Sequence, residues 1–264
     1  MDKTSVIGVV IGVVAVLVGM FFKGVSPVQL VNPAAILIIL LGTAGAVTIA
    51  FPTSEIKRVP KLFGKLFKED KLPDTAELIK MFSDWAQLAR KEGLLALESQ
   101  TNEIDDDFLK NGLSLAVDGQ SADYIRDVLS EEIEAMEERH QSGALIFTQA
   151  GTYAPTLGVL GAVVGLIAAL GYMNDIEGLG HAISAAFIAT LLGIFTGYVL
   201  WHPFANKLKR KSKQEVKVKQ MMVEGILSIL EGEAPRVIET KLASYLPGSE
   251  KKKFLAATGE AANE

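Results

Sequence analysis

The chain has 264 residues, 49% of them hydrophobic but only 7% aromatic, and a net charge of -5. Its mean hydropathy of +0.30 suits a chain with lipid-embedded segments better than one or two soluble domains. With no cysteine it can have no disulfide, thiolate metal site or Cys nucleophile. Gly-x-x-x-x-Gly-Lys-Ser/Thr, His-Glu-x-x-His and Gly-x-Ser-x-Gly are all missing, and His140, His181 and His202 are scattered. The expectation is a protein that is not an enzyme and carries no metal or cofactor. His181 and His202 border an apolar run, where an interfacial position explains them better than metal ligation.

Val6 to Phe22 is an uncharged run of about 17 residues, near the lower limit for a helix that crosses a bilayer. No small-x-small cleavage site follows it, so a retained span is expected rather than a signal peptide. Pro33 to Phe51 is a second uncharged run, closed by Pro52. An amphipathic helix is expected next. Asp74 with Glu77 resembles a capping box with Asp in place of Ser or Thr, Leu78, Met81, Phe82, Trp85 and Leu88 recur at helical spacing, and Gly93 is the stop signal. A shorter helix is expected over Asp105 to Val117, and another from Ser121 with Ile125, Leu129, Ile133 and Met136 on one face. Its other face carries Glu131, Glu134, Glu137 and Glu138, most simply a solvated surface.

Ala144 to Tyr172 is uncharged over about 29 residues, longer as a helix than a bilayer core of roughly 30 Å requires. The helix from Ser121 is therefore expected to run on into this third span, with Pro155 as a kink site. Ile183 to Trp201 is the fourth run. After it, Val216, Met222, Val223, Ile226, Ile229 and Leu230 predict an amphipathic helix stopped at Gly232, then a short helix from Pro235 to Leu246. The stretch after Pro247-Gly248 is expected to be frayed.

Basic residues set the orientation. Lys57, Arg58, Lys61, Lys65, Lys68 and Lys71 follow the second run, and Lys207, Lys209, Arg210, Lys211 and Lys213 follow the fourth. The opposite loops carry only Lys23, Asp175 and Glu177. Both basic segments and both termini are thus expected in the cytoplasm, and topology accounts for these lysines better than nucleic-acid binding does. The predicted fold class is an all-α membrane protein with four transmembrane helices, a helical cytoplasmic domain between the second and third, and a helical cytoplasmic tail. The expected boundaries are 1–51, 52–147, 148–202 and 203–264.

Two spans differ from plain lipid anchors. The third spaces Gly161, Gly165 and Ala169 four apart, and the fourth does the same with Ala185, Ala189, Gly193 and Gly197. Small residues at that interval let helix backbones approach closely in lipid. Packing within one bundle explains at least part of this, yet a conducting interface needs the same residues. Thr190 lies on the small-residue face; its hydroxyl either bonds its own backbone four residues back or touches water or an ion carrier. None of the four runs contains Asp, Glu, Lys or Arg. An intramembrane proton relay normally needs an ionisable group at depth, so any proton carrier has to come from another chain.

Three stretches stand out together: Trp85-Ala-Gln-Leu-Ala-Arg90-Lys-Glu-Gly93-Leu-Leu-Ala-Leu-Glu98, Tyr153-Ala-Pro155-Thr-Leu-Gly158, and Trp201-His-Pro203-Phe-Ala-Asn-Lys207. Through them nearly the whole chain resembles the MotA family of flagellar stator subunits. The resemblance implies a pentamer of this subunit around a dimer of MotB, a single-span partner that brings the proton-binding Asp. It also implies that Arg90 and Glu98 meet opposite charges on the rotor protein FliG, and that Pro155 and Pro203 take part in the conformational step of torque generation. Sodium-driven relatives tend to carry Thr at the position of Ala162, and a methyl group cannot coordinate Na+, so H+ is the expected ion. Two rivals stand beside this: an ExbB or TolQ type proton-driven subunit, which has one span rather than two before its cytoplasmic segment, and a membrane scaffold that conducts nothing.

Overall fold

The computed structural model describes residues 2–69, 72–101 and 104–257, and among them every regular element is helical, with no strand. Helix α1 covers Lys3–Phe22 and is capped by Asp2, whose carboxylate accepts from the Thr4 N–H at 3.2 Å. Helix α2 covers Pro33–Ala50. Pro33 stands in its first turn and the Asn32 side chain accepts from the Ala35 N–H at 3.1 Å, which fits the missing proline donor to a position that needs none. Within α2, Leu37–Leu41 is a π-helical turn. The span stops where Phe51 turns extended ahead of Pro52.

The basic stretch after the second span holds more than a topology signal. Val59–Phe67 is a helix, α3, in a region where no element was expected. Its Leu66 is fully buried, and Leu62, Phe63 and Phe67 pack into the same cluster as Ala144, Phe147, Phe204 and Leu208. Phe63 meets Phe147, Trp201 and Phe204 edge-on at centroid distances of 5.1, 6.1 and 6.2 Å. Lys71 lies outside the described residues.

Helix α4, Thr75–Glu92, begins at Asp74 as expected, with its carboxylate accepting from Ala76 and Glu77 N–H groups, and ends at Gly93, whose φ of 86° suits only glycine. Helix α5 runs over Asp107–Val117, two residues inside the expected start, because Asp106 acts as its cap by accepting from the Leu109 N–H at 2.9 Å. Helix α6 is continuous from Ala122 to Leu170 and passes through Pro155. Helix α7 extends over Ile176–Leu230 with a second π-helical turn at Thr196–Trp201. Helix α8, Pro235–Ala243, is slightly shorter than expected.

The stretch beyond Pro247-Gly248 is not frayed through residue 257. Gly248–Ala257 forms helix α9, and its Phe254 is 8% exposed in the cytoplasmic core. An apolar ring at one position was enough to dock the segment, a signal easily passed over in a lysine-rich stretch. Residues 258–264 lie outside the described residues.

The chain divides into two compact units, one of Met1–Asp70 with Arg139–Lys211, the other of Lys71–Glu138 with Ser212–Glu264. The second unit has a conventional core. Ile79 and Phe82 of α4, Leu113 of α5, Ile125 and Leu129 of α6, Ile226 of α7, and Ile238 and Leu242 of α8 are all fully buried. Each such side chain contributes about 1.5–3 kcal/mol relative to exposure. The first unit is the reverse. Only 11% of the apolar window of α1 and 22% of those of α2, α6 and α7 is buried, while Phe21, Leu41, Ile49, Ile167 and Phe187 face outward. Such surfaces are stable against lipid or other membrane helices, not against water.

Candidate functional site

Helices α6 and α7 cross the first unit antiparallel, and their small residues pair in register. A Cβ on Gly158 would lie 3.0 Å from the Gly193 Cα and 2.9 Å from the Ala189 carbonyl oxygen. A Cβ on Gly161 would meet the Ala189 Cβ at 3.1 Å, and one on Gly165 the Ala186 Cβ at 3.1 Å. Ala186, Ala189, Gly193 and Gly197 are buried, whereas Ala185 is only half-buried. The contact face is therefore turned by one residue near its upper end from the strict four-residue repeat. Gly158, three before Gly161, was not counted in the small-residue stripe, although its spacing placed it on the same face.

The same register sets Ala162 and Thr190 at one depth. Thr190 follows Ala189, the partner of Gly161, and both Ala162 and Thr190 are half-buried at the margin of the contact. The Thr190 hydroxyl sits 3.4 Å from the Ala186 carbonyl oxygen, the long end of the i−4 back-bond. A short bond would have committed the group to its own helix; this one leaves it able to reorient. Val159, Val163, Phe187, Leu191 and Ile194 around this level are exposed, so the margin opens onto a surface that lipid or another helix can cover.

Pro155 interrupts the hydrogen bonding of α6. Having no N–H, it cannot donate to the Gly151 carbonyl. A Cβ on Gly197 would lie 2.8 Å from that same oxygen and 2.7 Å from the Pro155 Cγ, so Gly197 turns its Cα–H toward an acceptor that lacks its usual donor. Gly197 belongs to the π-helical turn Thr196–Trp201, where the His202 N–H donates to the Gly197 carbonyl. The widened turn ends two residues ahead of Pro203, which is exposed and likewise offers no donor to the residue four before it. The His202 ring packs on Gly151, where a Cβ would be 2.8 Å away, and on Tyr198 at a centroid distance of 5.3 Å. The structure thus brings Pro155, Gly197, His202 and the turn before Pro203 together. The π-helical turns left no mark in the hydrophobic pattern. Two buried polar atoms of this unit, Thr43 Oγ1 and Trp201 Nε1, have no hydrogen-bond partner.

The residues expected to meet the rotor, Arg90 and Glu98, lie in the other unit and are built differently. Arg90 is exposed in the last turn of α4, and Glu98 is exposed where the 3-10 turn Leu94–Leu97 passes into the short helix Glu98–Thr101. Between them Gly93 reverses the chain and Leu97, fully buried, fastens the turn to the core, while Leu95 is 71% exposed. Two opposite charges and an apolar side chain are therefore presented on a fixed corner.

At the start of α1, Asp2 draws three elements together. Its carboxylate lies 2.6 Å from Lys207 Nζ and 3.8 Å from Lys211 Nζ, and its N–H donates to the Phe67 carbonyl at 2.9 Å. The hydrogen bond from Lys207, with a second from Thr4, holds its carboxyl down at about 2. Among the described residues no group of three or more His, Cys, Asp or Glu is arranged to hold a metal ion.

Residues 100–221 match the MotA/TolQ/ExbB proton channel family, and residues 6–93 match the motility protein A N-terminal family. The chain is 70% identical over 263 residues to motility protein A of Bacillus subtilis, covering 100% of this chain and 97% of that one. It is 35% identical over 248 residues to the chemotaxis protein PomA of Vibrio alginolyticus, covering 93% and 96%. The solved structure of the flagellar MotAB stator complex from Bacillus subtilis superposes with a TM-score of 0.92 at 70% identity, over 96% of this chain and 99% of that one. The C. jejuni MotAB structure does so at 0.90 and 34% identity, over 94% and 97%. The chain belongs to the MotA/TolQ/ExbB proton channel family, in its motility protein A branch. It is a multi-pass inner-membrane protein with a cytoplasmic domain.

Proposed function

We propose that this chain is the ring-forming subunit of a flagellar stator, acting with a single-span MotB-type partner to turn proton flow into torque on the rotor. The observation that carries this is a pairing of presence with absence. Helices α6 and α7 form a glycine-lined contact with Ala162 and Thr190 at its margin, yet none of the four apolar runs contains Asp, Glu, Lys or Arg. A conducting protein built this way receives its carrier from a partner helix laid against that margin. The high identity to motility protein A, and the superposition on a structure titled as a MotAB stator complex, support the same assignment.

In this mechanism the partner's carboxylate takes up a proton and loses its charge. Its packing against the Thr190 face changes, and the backbone around Pro155 and Gly197, where the Gly151 carbonyl lacks its usual donor, absorbs the movement. One elementary charge falling through 100 mV releases about 2.3 kcal/mol, enough to shift a helix contact of this size. A pentameric ring around two carriers would convert successive protonations into rotation, and the corner bearing Arg90 and Glu98 would engage charged groups on FliG. Ala162 offers no oxygen to a desolvated Na+, which favours H+.

The test is swimming speed and ion flux of the chain co-expressed with its partner, measured across external sodium at fixed pH and potential. Speed should follow the proton-motive force and persist without sodium. Collapse of speed in sodium-free medium would replace H+ by Na+. Assembly with the partner without any ion flux would leave a passive scaffold instead.

A further inference from the structure

We infer that α3 and the first turns of α7 after the fourth span form a binding surface for anionic phospholipid headgroups on the cytoplasmic side of the membrane. The positive-inside tendency explains why lysines gather on this side, but not how they are displayed. Along α3, Leu62, Phe63, Leu66 and Phe67 face the core, while Lys61 and Lys65 are exposed on the opposite face, with Lys68 at its C-cap and Lys57 and Arg58 in the turn just before. Spacings of four and three bring Lys61, Lys65 and Lys68 onto one row. Among the described residues none of these five forms an ion pair, nor do Glu55 and Glu69; Asp70, two positions past Lys68, lies outside the described residues.

The helix is also held in place. Its last carbonyls are all engaged: Leu66 accepts from Ser5 Oγ at 2.7 Å, Phe67 from the Asp2 N–H at 2.9 Å, and Lys65 and Lys68 from Lys211 Nζ at 3.0 and 2.7 Å. Lys211 thereby joins α7 to α3, and the neighbouring Lys209 and Arg210 are exposed beside this junction. Asp2, which could have neutralised the row, is occupied by Lys207. Depth follows from packing. The buried face of α3 lies on Ala144, Phe147, Phe204 and Leu208, at the cytoplasmic ends of the third and fourth spans. The outward lysines therefore sit at headgroup level, on a fixed backbone, with no anion among the described residues to answer them. A lipid phosphate is the complementary group at that depth, and each cation near an anionic surface contributes about 1 kcal/mol, or roughly fivefold in binding.

The full-length protein in mild detergent, offered equal phosphatidylglycerol and phosphatidylcholine, is measured by native mass spectrometry. Phosphatidylglycerol should be retained several-fold over phosphatidylcholine, and the combined variant Lys61→Gln, Lys65→Gln, Lys68→Gln should cut its retention by about tenfold or more. The arginine triple at the same positions should retain it, and so should Lys252→Gln with Lys253→Gln in the other unit. Millimolar glycerol phosphate should not displace the lipid. Equal retention of the two lipids by the unaltered protein would overturn the inference, and so would undiminished phosphatidylglycerol binding in a correctly inserted glutamine triple. Displacement by glycerol phosphate would also overturn it, assigning the surface to a soluble phosphate. If the glutamine triple inserts wrongly, the lipid comparison on the unaltered protein and the arginine triple still decides.

Discussion

Gly193 and Gly158 meet backbone to backbone, so that a Cβ on Gly193 would stand 2.8 Å from the Gly158 Cα and 2.8 Å from the Ala154 carbonyl oxygen. Neither neighbour is the end of a flexible side chain, so relief requires moving a helix. Gly193→Ala should therefore destabilise the membrane unit by about 1–3 kcal/mol. Gly165→Ala, whose nearest contact is the Ala186 Cβ at 3.1 Å, should cost less. Thermal melting in detergent checks the order. Gly165→Leu and Gly193→Leu should in addition lose the oligomer, as native mass measurement would show, because the helix pair that presents the outer face is itself displaced. An unchanged melting point for Gly193→Ala would mean that the two helices do not pack this closely.

Charge reversal at the corner of the cytoplasmic unit should separate coupling from conduction. Arg90 and Glu98 are exposed, so Arg90→Glu and Glu98→Lys should leave folding and membrane insertion intact. Swimming should fall severalfold while proton flux with the partner persists, and a complementary reversal on the rotor should restore part of it. Equal loss of flux and swimming would place these residues elsewhere in the mechanism.

Thr190→Val keeps the volume nearly constant and removes the hydroxyl. Because the bond to the Ala186 carbonyl is 3.4 Å long, its loss should cost the fold well under about 1 kcal/mol. Proton flux and torque should nevertheless drop. Pro155→Ala supplies an N–H within reach of the Gly151 carbonyl and takes the ring away from Gly197, so it should lower torque per proton more than flux itself. Full activity in Thr190→Val would return that residue to plain helix packing.

A pH effect is expected from Lys241 in the cytoplasmic unit. Its ammonium contacts Glu224 at 2.5 Å, Ser228 Oγ at 3.1 Å and Glu233 at 3.4 Å, tying α8 to α7. The hydrogen bond to Glu224 raises its pKa above the ordinary 10.5. With the folded value above the unfolded one, the contribution is complete below pH 10.5 and lost as pH rises through the folded value. Lys241→Met should lower stability near neutral pH, partly because Ser228 is fully buried and loses a partner. The gap from the unaltered protein, followed by chemical denaturation, should narrow above pH 10.5. A gap that stays constant to pH 12 would assign the effect to the lysine stem rather than to its charge.

Much of the architecture was legible in the residues because bilayer spans obey a single strong rule. Uncharged runs of sufficient length such as Val6–Phe22 and Ile183–Trp201 became helices, and Asp74 and Gly93 bounded α4 as their capping chemistry requires. The motifs around Trp85, Pro155 and Trp201 pointed to the family. What periodicity could not show depends on neighbours distant in sequence. Val59–Phe67 read only as a topology signal because its apolar face is only four residues, and its value comes from Phe147 and Phe204, distant in the sequence. Phe254 docks the last described helix through a core assembled from five others. The pairing of Gly158 with Gly193, the depth shared by Ala162 and Thr190, and the Gly197 Cα–H turned to the Gly151 carbonyl were decided by how α6 crosses α7. Composition states which helices can approach closely. Only the packed structure states which atoms then meet, because a register is a property of two helices and not of either one.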